Sequence, residues 1–327
     1  MEPVNIQAWD NLVQALENLK KVPSHPEEKQ FEPDSLTSIN RIAKQRLGGA
    51  IYQNLKSIWN DASVALDFAK KNNLEESGKR FILAQERHNE LEGEARKLAE
   101  ILYYPKIAYY YYKVRDFKTA DECIAKTLAL DDEMQGIYYT FHGHKLHVLQ
   151  NNSRTLAYRK EYNEGAKLIL SVLRYIIAPK TKPLYGGKWG KQYLENCNTI
   201  QRLPITFEFF FFDLSMDSFR FPAFETAIVK NSKLIVESLR KIASTDPIYQ
   251  MALDWFEAKR SLYIRGNVEE YIEKSTAFLN TYPARYDMFK LLLLWDILRL
   301  TKLSNDNSKR VRLDTFIHEH YKVKLVA

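Results

Sequence analysis

Residues 103–132, YYPKIAYYYYKVRDFKTADECIAKTLALDD, decide how the rest of this chain is read. Tyr104, Ala108 and Tyr111, then Ala120, Ile124 and Leu128, recur at three- and four-residue steps. That is the period of a helix face. The two runs are separated by Arg115-Asp116-Phe117, which reads as a tight turn. Ala108 and Ala120 stand where the helices would cross, and small residues there let two backbones approach. Pro105 fits best in a first helical turn, where its missing N–H costs nothing.

Working outward, the same period dominates. Only 11 Gly and 11 Pro occur in 327 residues, too few for the frequent corners of an all-β fold. With 45% hydrophobic and 27% charged residues, the composition is neither that of a disordered chain nor of a membrane-embedded one. Residues 1–34 read as an amphipathic helix, plausibly N-capped by Asn5, followed by a proline-marked linker over 21–34. Residues 35–103 read as a long antiparallel hairpin of about 45 Å at ~1.5 Å per residue. Its first helix is continuous through Gly48-Gly49, where a kink or a close helix contact is expected. Asn73 and Glu76 resemble a capping box for its second helix, which runs to Leu102. Beyond the central pair, 138–149 and 160–173 read as a further hairpin with the polar turn Asn151-Asn152-Ser153-Arg154-Thr155. The aromatic run 205–214 reads as a buried helix, and residues 255–283 as another pair, with the last helices over 285–303 and 313–321.

The central segment resembles a tetratricopeptide repeat, a helix–turn–helix unit of 34 residues. Tyr104, Ala108 and Tyr111 match the aromatic–small–aromatic pattern of that family's first helix. Arg115-Asp116-Phe117 resembles its Gly-Asp-Tyr turn, and Ala120 occupies the crossing position of the second helix. Thr127 stands where the family prefers Ala, and Asp132 where it prefers the terminating Pro. The resemblance implies an all-α fold of antiparallel hairpins stacked as a superhelix, with residues 104–178 as repeat-like pairs and 207–327 as C-terminal repeats. It also implies a protein or peptide partner on a concave face. Tyr104, Tyr109, Tyr111 and Tyr112 are the residues expected to grip it.

Charge is regional. Residues 151–200 hold nine Lys or Arg against three Asp or Glu, residues 301–327 hold six against three, and the net charge of the whole is +7. Within the first of these, residues 179–206 read as a basic, aromatic-bearing insertion. Lys180, Lys182, Lys188 and Lys191 alternate with Tyr185, Trp189 and Tyr193. Cations neutralise phosphates and aromatics stack on bases, so single-stranded nucleic acid is one reading of this pattern. An acidic peptide is another, and aromatics that merely pin the loop to the core are a third.

Enzyme signatures are missing: there is no Gly-x-Ser-x-Gly elbow, no His-Glu-x-x-His and no dinucleotide fingerprint. The run 185–191 lacks the spacing and the Ser or Thr of a phosphate loop. His142, His144 and His147 cluster without a Cys or acid at ligand spacing, so no metal is expected. Cys123 and Cys197 form no framework, and no stretch reaches the roughly 18 apolar residues of a membrane span. The reading is therefore a non-catalytic, cytoplasmic helical protein without cofactors that binds a protein or peptide. A nucleic-acid or regulatory module using 151–200 is the alternative.

Overall fold

The computed structural model describes residues 6–19, 34–197, 203–303 and 307–322, and every regular element among them is helical. No helix there is long and apolar enough to cross a membrane. Asn5 and residues 21–33 of the expected linker lie outside the described residues. The chain divides into two compact units: residues 1–31, 162–178 and 203–327 form one, and residues 32–161 and 179–202 the other.

In the second unit, α2 (Asp34–Arg46), α3 (Gly49–Lys70), α4 (Leu74–Asn89), α5 (Gly93–Lys113), α6 (Phe117–Met134) and α7 (Thr140–Tyr158) follow one another through short turns. Helix α3 packs on α4 and on α5, and α5 on α6. Ala62, Ala65, Ala69, Ala84, Ala95, Ala99, Ala108 and Ala120 are buried along these contacts, which is why the helices can lie close. Ser77 of α4 donates its hydroxyl to the Ala65 carbonyl of α3 at 2.8 Å. Gly78 lies under Tyr110 of α5, whose hydroxyl would stand 3.0 Å from an added Cβ.

Two expected turns form as read. The Asn73 side chain accepts from the Glu76 N–H at 3.3 Å, and Asp116 accepts from the Thr119 N–H at 3.1 Å to start α6. Four expectations are corrected. The chain is not helical through Gly48, and neither Gly48 nor Gly49 makes a close contact, so the break serves the chain path alone. The helix after Asn73 stops at Asn89 and restarts at Gly93, which adopts φ +57°. The hairpin is accordingly shorter, with 22 and 16 residues in α3 and α4, or about 33 and 24 Å. Pro105 consequently sits inside α5 instead of in its first turn. Finally, residues 151–155 are not a turn but the body of α7. Thr155 returns its hydroxyl to the Asn151 carbonyl at 3.0 Å, and Ser153 and Ala157 face the core.

The first unit contains α8 (Tyr162–Ile177), α10 (Leu203–Arg220), α11 (Pro222–Asn231), α12 (Lys233–Ile242), α13 (Pro247–Tyr263), α14 (Val268–Thr281), α15 (Asp287–Leu303) and α16 (Asn307–Tyr321). To these it adds α1 (Ile6–Leu19), which docks on α14 with Trp9, Leu12, Leu16 and Leu19 buried. Helix α8 packs on α10, α11 and α12, while the helix expected to pair with it, α7, falls in the other unit. The aromatic run is helical as read: Phe207, Phe210 and Phe211 of α10 are buried, with Phe211 stacked on Phe289 at 4.7 Å. Helices α13 and α14 form a hairpin whose turn uses Gly266 at φ +68° and an Asn267 cap on the Glu270 N–H at 2.9 Å.

Candidate functional site

The expected tyrosines divide between two faces of α5. Tyr109 and Tyr112, three residues apart, bring their rings to 5.8 Å. Tyr112 also meets Phe117 at 6.1 Å and Tyr158 of α7 at 5.2 Å. Arg159 caps the group, lying 5.1 Å above the Phe117 ring and paired with Asp121 at 2.9 Å and Glu161 at 2.8 Å. All four rings are half-exposed, and burial pushes the Tyr112 hydroxyl up to about 12. Within two residues of these rings in sequence come Lys113, half-exposed, and Arg115, Lys118 and Lys160, exposed. Tyr104 and Tyr111 face elsewhere, Tyr104 receiving the Lys126 ammonium 5.4 Å above its ring. Tyr111 is half-exposed rather than buried.

The basic insertion is tied down through its tryptophan. Trp189, 9% exposed, donates its indole N–H to the Tyr185 carbonyl at 3.0 Å and the Gly186 carbonyl at 3.1 Å. Its ring face holds the Lys145 ammonium at 3.7 Å, and His142 meets it edge-on at 5.4 Å. Lys145, wholly buried on α7, pairs with Asp132 and donates to the Lys188 carbonyl at 3.1 Å. Asp132 accepts from the Lys188 N–H at 3.1 Å, and Gln135 donates to the Lys188 carbonyl at 3.1 Å. Gly187, at φ +103°, is required here, since a Cβ would fall 1.9 Å from Asp132. So Asp132, which departs from the repeat pattern, is the residue on which the insertion is hung.

α9 (Lys191–Cys197) then returns the chain onto α7, with Tyr193 stacked on His142 at 5.6 Å. Trp189 thus has no open face for a base, whereas Lys182, Lys188 and Lys191 remain exposed and Tyr185 half-exposed. Lys191 is paired with Glu195 at 3.1 Å.

The three histidines of α7 are structural partners among the described residues, where no group suited to a metal ion occurs. His142 donates from Nδ1 to Gln135 at 2.8 Å, and His144 from Nδ1 to the buried Asp131 carboxylate at 3.0 Å. Burial, and then the neighbouring Lys145, push His142 down to about 3. Burial, and then His144, push His147 down to about 4. Between pH 6.5 and 4 the unfolded chain therefore binds protons that the folded unit refuses, so stability falls as the pH drops. Asp131, held above its ordinary range by burial, works in the opposite sense. We expect the urea midpoint of the second unit to fall from pH 7 to pH 5, and the fall to be reduced in the His142→Gln/His147→Gln double variant. An equal slope in both proteins would contradict this.

One constellation has no signal in the sequence. Lys259 of α13 is wholly buried between Glu225 of α11 at 2.6 Å and Asp296 of α15 at 2.7 Å, and it donates to the Leu292 carbonyl at 2.8 Å. Asp296 also accepts from the Tyr263 hydroxyl at 2.7 Å and pairs with Arg299 at 3.3 Å. Glu225 meets the ammonium outside hydrogen-bonding angles. Its complete burial raises its carboxyl above the usual range. Buried titratable groups with shifted affinities mark functional sites or structural ion networks. Here Lys259, Glu225 and Asp296 are packed away from solvent, with Tyr263 and Arg299 half-buried at the edge, which makes this a network inside the core.

Compared with known proteins, the chain matches no family model, and no curated protein or solved structure matches it.

Proposed function

We propose that this chain is a non-catalytic helical-repeat protein that holds a segment of another protein, and that the aromatic corner of the second unit is where it does so. The observation that carries this reading is the half-exposed cluster of Tyr109, Tyr112, Phe117 and Tyr158, with Lys113, Arg115, Lys118 and Lys160 within two residues of its rings in sequence. Aromatic rings give large contact area at low entropic cost, and these cations favour an acidic segment. The packing of α3 on both α4 and α5, with alanines at the contacts, supports stacked tetratricopeptide-like hairpins as the scaffold.

The test is selection of a displayed random-peptide library on the purified chain, with affinities of the enriched peptides measured for wild type and for Tyr112→Ala. Acidic peptides carrying an apolar anchor should enrich, and Tyr112→Ala should weaken them at least tenfold. The reading fails if no sequence class enriches, or if Tyr112→Ala binds as wild type does. Preferential binding of single-stranded nucleic acid that weakens steeply with salt, and with charge reversal at Lys188, would favour the alternative instead.

A further inference from the structure

A cleft of about 280 Å³ opens in the first unit, walled by the end of α1 (Asn18, Leu19), the end of α14 and the start of α15. Its walls are largely apolar or small: Leu19, Leu279, Tyr282, Pro283 and Ala284. Besides Tyr282, three titratable side chains line it, Asp287, Lys290 and His320. Lys290 is the unusual one. It is only 2% exposed, yet among the described residues its ammonium has a single ionic neighbour, the Asp287 carboxylate at 3.4 Å. An ammonium carries three donors, and burying a charge without filling them is costly. Close by, Tyr321 keeps a buried hydroxyl with no hydrogen-bond partner among the described residues, and Asp287 is the charge that acts on it.

These groups have a consistent preference. The Lys290 ammonium and the N-terminal end of the 17-residue α15 both favour an anion. Asp287, in the same first turn, limits how much negative charge the cleft accepts. A singly charged group fits that balance better than a phosphate dianion. The volume lies just below the ~300–1,000 Å³ typical of ligand pockets, which confines the occupant to a few heavy atoms beyond its head group.

We infer that this cleft is a binding site for a small monocarboxylate with a short apolar body, its carboxylate on Lys290 and its body against Leu19, Leu279, Pro283 and Ala284. The site is separate from the aromatic corner and stands or falls independently of it.

The test is calorimetric titration and thermal-shift measurement of the full chain with hexanoate, hexylamine and inorganic phosphate as probes. Hexanoate should bind and raise the melting temperature, and hexylamine should not. Lys290→Met, which keeps the buried stem and removes the charge, should abolish the hexanoate response. Because that variant changes a buried residue, Ala284→Trp serves beside it. It fills the half-exposed wall and should leave the unliganded melting temperature near that of wild type while blocking hexanoate at least tenfold. The inference is overturned if phosphate binds as well as hexanoate, if hexanoate is not bound at millimolar concentration, or if Ala284→Trp binds it undiminished.

Discussion

Replacing Lys259 by methionine is expected to destabilise the first unit by about 4 kcal/mol, the range measured when one partner of a buried ion pair is removed. At roughly 2–4 °C per kcal/mol for a unit of this size, the melting temperature should fall by about 10 °C. Methionine fills nearly the space of the lysine stem, so the loss comes from charge and not from a cavity. It leaves Glu225 and Asp296 buried without the cation that lies between them. The two carboxylates are not equivalent. Asp296 keeps Arg299 and the Tyr263 and Tyr271 hydroxyls, whereas Glu225 makes no other ion pair among the described residues and feels Arg299 only at longer range. Glu225→Leu added to Lys259→Met should therefore recover more than half of the loss, because the stranded charge is then gone. Urea denaturation of wild type, single and double variants measures all three. A single variant within 1 kcal/mol of wild type would mean that water reaches the network, and that Lys259 is not the charge that balances it.

That network also shows why part of this protein could not be read from its residues. Its members come from α11, α13, α14 and α15, and apart from the i,i+3 pair Asp296–Arg299 none stands in a local pattern: Lys259 occupies a position that a helical wheel assigns to the apolar face between Phe256 and Tyr263. Only the packing of four helices gives it partners. Helix existence and type were legible, because the apolar stripes are long and glycine and proline are rare. The caps at Asn73 and the turn at Arg115-Asp116-Phe117 were legible too, since their chemistry lies within four residues.

Helix ends away from such signals were not. Leu91, Ala95, Leu98 and Leu102 keep one apolar stripe although the backbone breaks between Asn89 and Gly93. Periodicity records which side is buried, and both pieces bury the same side. In α7 the reverse holds, for Asn151 and Thr155 look like a turn but lie on a continuous helix, where Thr155 donates its hydroxyl to the Asn151 carbonyl. The candidate site was half legible. Density of tyrosine singled out α5, but sorting Tyr109 and Tyr112 from Tyr104 and Tyr111 needed Phe117 and Tyr158 in place. The insertion was recognisable by its lysines, while its anchor depended on Lys145, which no local pattern marks, and on Asp132, marked only as a departure from the repeat.

That anchor carries the other large expected effect. Trp189→Ala removes a nearly buried indole, a change that typically costs about 3–5 kcal/mol. It also uncovers the Lys145 ammonium that the ring shelters at 3.7 Å, and it removes the donor that closes the turn onto the Tyr185 and Gly186 carbonyls. Asp132 and Gln135 would still hold the Lys188 backbone, so the insertion should loosen before α6 and α7 separate. Limited trypsin digestion distinguishes the two. Cleavage after Lys180, Lys188 and Lys191 should quicken at least tenfold in Trp189→Ala under conditions where far-ultraviolet circular dichroism is unchanged. Trp189→Phe keeps a ring over Lys145 but loses the two indole hydrogen bonds, and should fall between. Lys182→Ala, at an exposed position, should stay within about 0.5 kcal/mol of wild type. If Trp189→Ala is cut no faster than wild type, Asp132, Lys145 and Gln135 suffice to hold the insertion. Its tryptophan would then be able to move without releasing the lysines beside it.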